Sequence, residues 1–194
     1  MNAGSHLNRK VKVAFGSAIL TLLIVGMVSY RLILVSGESD RWVRHTEEVL
    51  KNLQDLLGAM GSIDSSSSGF ALTGKEPYLE SYRTGIVRAR QDLAVIRRLT
   101  MDNLEQQQRI PVLAMLITQK AQFSDRVIAL RQKQGLEAAG DAVREGQGQR
   151  SMNETEATIR EMREEELRLL AFRDVKAKRR LDQTRIGLIF GTVL

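Results

Sequence analysis

Cysteine is absent from the 194 residues, so no disulfide and no thiolate ligand is available, and packing alone must hold the fold together. Histidine occurs twice, as His6 and His45, and neither belongs to a Glu-x-x-His pair. That excludes the usual di-iron and zinc sites of helical bundles, and bis-histidine haem ligation within one soluble bundle. Two prolines leave room for long uninterrupted helices, and aromatics are sparse at 5%. With no strand pattern there is no place for a glycine-rich phosphate loop after a strand. Ser65, Ser66, Ser67 and Ser68 have no base to activate them. The chain therefore reads as something other than an enzyme, with no cofactor and no metal. A net charge of +6 and a pI near 9.9 raise the question of nucleic acid. Acids alternate with bases at helical spacing, however, and no basic tract is interleaved with aromatics. The charge describes solvated helix surfaces, and nucleic acid is not an expected partner.

What is present first is an apolar run. Residues 13–30 carry no charge, and after Arg31 a further apolar stretch reaches residue 35. Eighteen helical residues span about 27 Å, close to the hydrocarbon thickness of a bilayer. A cleaved signal peptide is the rival reading, since Arg9, Lys10 and Lys12 form a basic start. The run is longer than such a segment needs, and an uncleaved transmembrane helix over 13–35 is favoured. The basic residues then place 1–12 in the cytoplasm and the chain after Gly37 outside. Arg31 can snorkel to the outer interface, with Trp42 just beyond. Residues 186–194 read as the start of a second transmembrane helix.

Between them the pattern is helical throughout. Trp42, Thr46, Val49, Leu53, Leu56, Met60 and Ile63 recur at alternating spacings of four and three, widened by Val43, Leu50 and Leu57. Such a stripe belongs to a core-facing bundle helix. It continues through the serine run, because Ile63 and Phe70 stay in register, and stops at residues 73–77, where Gly74 suits a C-terminal cap and Pro77 an early helical position. A second helix carries Leu79, Tyr82, Ile86, Ala89, Leu93 and Ile96 and ends near Leu99. Asp102 with Glu105 predicts a capping box for the third, whose face runs Ile110, Leu113, Ile117, Lys120, Phe123, Val127, Leu130 to about Gln134. Pro111 predicts a kink or a local break there. A brief helix and loop occupy 135–150. Ser151 with Glu154 predicts a second capping box, opening a fourth long helix through Ile159, Met162, Glu166, Leu169 and Arg173. The expected architecture is all-α: an up-down-up-down four-helix bundle over 38–182, with helices one and four continuing into the membrane.

Two sets of residues stand out within that frame. Glu166 and Arg173 occupy core register on the last helix, and Arg88 and Arg90 flank the stripe of the second. A wide bundle exposes some such positions, but a buried polar layer is the alternative, costly in stability and suited to a switch. Tyr78 and Tyr82, beside the 73–77 turn, either pack in the core or line a cleft.

Several stretches carry a resemblance. Gly69-Phe70-Ala71-Leu72-Thr73-Gly74, then Tyr78-Leu79-Glu80-Ser81-Tyr82, resembles the R-G-F/Y-x-L-T-G…Y-L-x-x-Y signature of the CHASE family, type three. Leu99-Thr100-Met101-Asp102-Asn103 with Gln106-Gln107 and Arg109 is similar to its L-T-x-D-N-P-x-Q-Q-x-R run. Gly148, Met152, Met162, Glu165-Glu166, Leu169-Leu170 and Arg173 resemble its closing G-x-x-x-M…M-x-x-E-E…L-L-x-R helix. Ser68 stands where the family has arginine, and Leu104 where it has proline. The resemblance implies an extracytoplasmic four-helix sensor of a bacterial receptor, acting as a homodimer in the inner membrane. Its signal is an undefined small molecule or protein, and its output a histidine kinase, with a cyclase or chemoreceptor in the same class. The alternative is an anchored bundle that acts as a periplasmic adaptor without output. Gly69, Thr73, Gly74, Tyr78 and Tyr82 are the ligand-sensing candidates, and Glu166 and Arg173 the signalling-layer candidates.

Overall fold

The computed structural model describes the backbone of residues 3–193 and the side chains of residues 11–12, 14–27, 30 and 40–179. Within it the chain forms helices α1 (Ala3–Thr73), α2 (Glu76–Leu99), α3 (Leu104–Gln134), α4 (Leu136–Arg144) and α5 (Gln147–Val193). The described residues contain no strand. Two compact units are present: Arg44–Ala171, and a second made of residues 1–43 with 172–194.

The larger unit is a bundle of α1, α2, α3 and α5, and cross-helix pairs give its directions. Ile63 of α1 lies against Gly85 of α2, and Gly69 against Tyr78, so the first two helices run antiparallel. Thr100 reaches Gln107 while Tyr82 reaches Asp125, which reverses α3 against α2. Gln106 meets Met162 while Lys120 meets Gly148, which reverses α5 against α3. Gln54 meets Arg163 and Gly61 sits by Met152, which closes α5 against α1. The order is up-down-up-down. One end of the bundle holds the α1–α2 turn and α4; the other holds the α2–α3 turn.

The core follows the predicted stripes. Val49, Leu53, Leu56, Met60 and Ile63 of α1 pack with Ala89 and Ile96 of α2, Ile110, Leu113 and Ile117 of α3, and Ile159 and Met162 of α5. Each large aliphatic side chain so buried contributes on the order of 1.5–3 kcal/mol, and the pattern of four stripes fixes which faces turn inward. A second cluster joins Ala71, Phe123 and Val127 to Ala139 and Ala142, and seats α4 on the turn end.

The helix ends confirm some expectations and correct others. Gly74 takes a positive φ of 68°, and its N–H donates to the Phe70 carbonyl at 2.8 Å, ending α1 as a left-handed cap. Pro77 falls at the second position of α2, where its missing N–H costs nothing. The third helix is capped by Asn103 rather than Asp102: its side chain accepts from Gln106 N at 3.2 Å. Starting one residue later puts Gln106, not Glu105, at the third position. The Gln106 side chain is drawn into the core instead of back to the cap, so no reciprocal box forms. No break occurs at Pro111, because α3 is continuous across it. The proline lies near the start of a long helix whose far turns are held by core packing. The second predicted box is also absent. Gly146, with φ 72°, releases the chain early, α5 begins at Gln147, and Ser151 lies inside the helix rather than capping it.

Among the described residues no helix is long and apolar enough to cross a membrane. Residue 13, residues 28–29 and 31–35 of the expected first span, and the whole of 186–194, lie outside the described side chains.

Candidate functional site

The turn end gathers the five sensing candidates, each held by its own neighbours. Gly69 leaves room for the Tyr78 ring to lie on α1; a Cβ there would collide with it. Thr73 Oγ1 donates to the Gly69 carbonyl at 2.7 Å and accepts from Lys75 N at 3.3 Å, joining cap to turn. Gly74 faces the Arg131 guanidinium of α3. Tyr78 is half-exposed, whereas Tyr82 is buried. The Tyr82 hydroxyl stands 2.7 Å from Asp125 Oδ1 and 3.1 Å from the Ala121 carbonyl. Burial first, then the hydrogen bond and charge of Asp125, hold its pKa well above the usual tyrosine value. These contacts staple α1 to α2 and α2 to α3.

One layer inward lies a cluster that the sequence stripe contained without marking. Lys120 is 0% exposed. Its ammonium pairs with Asp64 of α1 and donates to the Gly148 carbonyl of α5 at 3.0 Å, so one cation ties three helices. A Cβ on Gly148 would meet Phe123 at 2.8 Å and Lys120 Nζ at 3.3 Å, which explains why the start of α5 needs glycine here. Beside it Ser124 Oγ donates to Ser67 Oγ at 3.2 Å, between two buried serines. The signal available in the sequence was a lysine in core register between Ile117 and Phe123. A lysine is rarely buried without a partner, and the partner, Asp64, stands 56 residues away on another helix.

The second polar layer lies toward the other end and contains Glu166. This residue is 2% exposed, and its Oε1 accepts from Gln106 Nε2 at 3.0 Å; the same amide donates to the Met162 carbonyl at 3.0 Å. Gln107 turns the opposite way, donating to the Arg97 carbonyl and Thr100 Oγ1, both at 2.9 Å, and locks the α2–α3 turn. Arg109 pairs with Glu161 at 3.3 Å, and Arg168 with Glu165 at 2.7 Å. The two motifs that resemble separate family signatures are thus joined: Gln106 and Arg109 of the first bind Met162, Glu166 and Glu161 in the second stretch. Of the two signalling-layer candidates, Glu166 belongs to the bundle. Arg173 belongs to the other unit, where its guanidinium lies 3.6 Å from the centroid of the Trp42 ring and ties α5 to α1.

Midway along the bundle, a groove of about 450 Å³ between α1 and α2 is lined by Gln54, Asp55, Gly58, Ser62, Arg88 and Asp92. Asp92 is held above the usual carboxylate pKa by partial burial and by Asp55, while Arg88 pulls it back. Arg88, flagged beside the stripe, therefore faces this groove rather than the core. Among the described residues no cluster of His, Asp and Glu is arranged to hold a metal ion.

Residues 39–174 match the CHASE3 domain family, and the chain belongs to it. CHASE3 domains are extracellular sensor domains of signalling receptors, so this part of the chain is a sensor and not a catalyst. No curated protein and no solved structure matches the chain.

Proposed function

We propose that the chain is the membrane-anchored sensor portion of a bacterial receptor, lying outside the inner membrane and feeding a histidine kinase. The observation that carries the anchoring is the first helix. Residues 13–30 hold no charge, and Phe15, Leu20, Leu22, Leu23 and Met27 are 59–71% exposed along it. Contiguous apolar surface of that size is disfavoured in water and is at home in lipid. Both α1 and α5 carry helical residues beyond the bundle unit, so relative movement of these two helices is the natural signal. Shifts of about 1–2 Å between packed helices suffice in known switches. A small molecule or protein that binds one packing better than the other would move the equilibrium, and one that binds both equally would not. Glu166 and Arg173, both on α5, are the residues proposed to set the two packings.

The absence of cysteine makes the anchoring testable residue by residue. A thiol at the exposed Ser65 (Ser65→Cys) should react with a membrane-impermeant maleimide in intact cells, while Ser5→Cys reacts only after lysis. The opposite labelling, or a chain washed off membranes at alkaline pH, would reject the topology. The gene downstream of Leu194 tests the output: a histidine-bearing dimerisation helix with an ATP-binding domain is expected, and a diguanylate-cyclase motif would replace the kinase.

A further inference from the structure

The groove between α1 and α2 gathers three charges that do not pair with one another. Its α1 wall carries Asp55, Gly58 and Ser62 on one helix face, and its α2 wall carries Arg88 and Asp92, one turn apart. An arginine and an aspartate at that spacing are neighbours that readily form an ion pair. Among the described residues, however, the ion pairs include neither Arg88 nor Asp92 nor Asp55. The two carboxylates, contributed by different helices, repel instead: partial burial and then Asp55 raise the Asp92 pKa, and Arg88 offsets this only in part. Gly58 opens the middle of the α1 wall, since nothing lies within 4 Å of a Cβ added there. A bare divalent ion suits this setting poorly. It takes about six oxygen ligands, whereas the groove offers two carboxylates and a guanidinium that repels it, and no metal cluster occurs among the described residues. The chemistry that matches is an organic ligand with both signs of charge.

We infer that this groove is a ligand site of the sensor and takes a free α-amino acid, its ammonium between Asp55 of α1 and Asp92 of α2 and its carboxylate on the Arg88 guanidinium. The inference rests on the sensor reading above and names its site and its ligand class. Residues one helical turn apart are separated by about 5–6 Å. Hydrogen bonds of about 2.8 Å at each end let two groups on one α-carbon span that distance. A guanidinium receives a carboxylate through two parallel N–H bonds, which fixes the orientation of the ligand. The volume of about 450 Å³ falls within the range of about 300–1,000 Å³ usual for small-molecule sites, and leaves room for a side chain over Gly58. An ammonium seated between the two carboxylates removes the repulsion between α1 and α2. The ligand therefore favours the packing that brings Asp55 and Asp92 together, and α1 is the helix that also carries the apolar run.

Calorimetric titration of residues 1–194 in lipid nanodiscs with each of the common L-amino acids tests the site. At least one should bind saturably, while propylamine and acetate, which carry one charge each, should bind at least about tenfold more weakly. Asp55→Asn, Asp92→Asn and Arg88→Met should each weaken the amino acid by about tenfold or more, and Gly58→Leu, which fills the groove, should do the same. Without ligand the four variants should unfold close to the parent, because the altered positions are exposed or half-buried. Binding that survives all four substitutions overturns this site. Propylamine binding as tightly as the amino acid, with no effect of Arg88→Met, overturns the amino acid in favour of a simple cation. No binding by any of the amino acids overturns the proposal outright, and the sensor reading is then decided separately by the maleimide labelling above.

Discussion

The two polar layers of the bundle solve the same problem differently. In the layer near the turn end, the buried group is a cation, Lys120, and its counter-charge Asp64 has a side chain 39% exposed, with one side in water. In the other layer the buried group is a carboxylate, Glu166, and the contact from α3 is a neutral amide, Gln106, which is itself fully buried. The first layer thus has a wet end and a dry end. The second is dry on both sides. What a substitution costs should therefore depend less on which bond is cut than on which group remains inside afterwards.

The largest effect follows from that asymmetry. Asp64→Ala leaves the Lys120 ammonium sealed with only the Gly148 carbonyl as acceptor, and should cost about 3–5 kcal/mol of bundle stability. Lys120→Met leaves Asp64 able to turn to solvent and fills the same volume with apolar atoms, so it should lie within about 1 kcal/mol of the parent. Adding Lys120→Met to Asp64→Ala should restore most of the loss. Urea unfolding of the four proteins checks the cycle; equal losses for the two single changes would break the wet-and-dry distinction.

In the second layer, Gln106→Leu removes the amide donated to Glu166 and to the Met162 carbonyl. The carboxylate stays buried, and the cost should be about 2 kcal/mol, between the two outcomes at the first layer. A loss as large as that of Asp64→Ala would mean that both layers are sealed alike.

The sequence made the frame legible because a bundle helix buries one stripe, and spacing reveals a stripe without knowledge of its partner. Val49 to Ile63, the α1–α2 turn at Gly74 and Pro77, and the end of α3 before Gly135 were all accessible in that way. Capping was not, since Asn103 and Asp102 are both good caps and only the tertiary pull on Gln106 decides between them. Lys120 was placed in register yet not marked, because its meaning lies in Asp64 and Gly148, and no local pattern pairs residues on three helices. Glu166 stood out as a lone acid in an apolar register, but its link to Gln106 likewise joins two distant segments. Tyr82 was read as either core or cleft, and the structure buries its ring and bonds its hydroxyl to Asp125 on another helix, a partner that no local pattern names.

Gly148 sharpens the first layer from the backbone side. Gly148→Ala gains about 1 kcal/mol of helix propensity but drives a methyl into Phe123 and the Lys120–Asp64 pair, for a net loss of about 1–2 kcal/mol. Gly58, with nothing within 4 Å of an added Cβ, serves as the control, and Gly58→Ala should stabilise by up to about 1 kcal/mol. Equal effects at the two glycines would mean that the layer around Lys120 is loosely packed.

Tyr82 offers the smallest effect and the only one with a pH signature. Its hydroxyl is half of a polar contact whose other half, Asp125, is exposed, so Tyr82→Phe strands no buried charge and should cost about 1 kcal/mol at neutral pH. The fold holds the phenol protonated, with its pKa raised above the ordinary value by burial and by Asp125. In the unfolded chain that value is about 10. Below it both states carry the proton, and the contribution of the tyrosine is complete. Above it the unfolded chain releases a proton that the fold retains, so the parent loses up to about 1.4 kcal/mol per pH unit at this site. Tyr82→Phe has no such proton, while the other titrating groups are common to both proteins and cancel in the difference. The advantage of the parent should therefore shrink as pH rises above about 10 and reverse near 11, which unfolding curves recorded side by side would show. A constant difference over that range would mean that the hydroxyl already has access to water, and that the tyrosine is a rim residue of the turn end rather than part of its core.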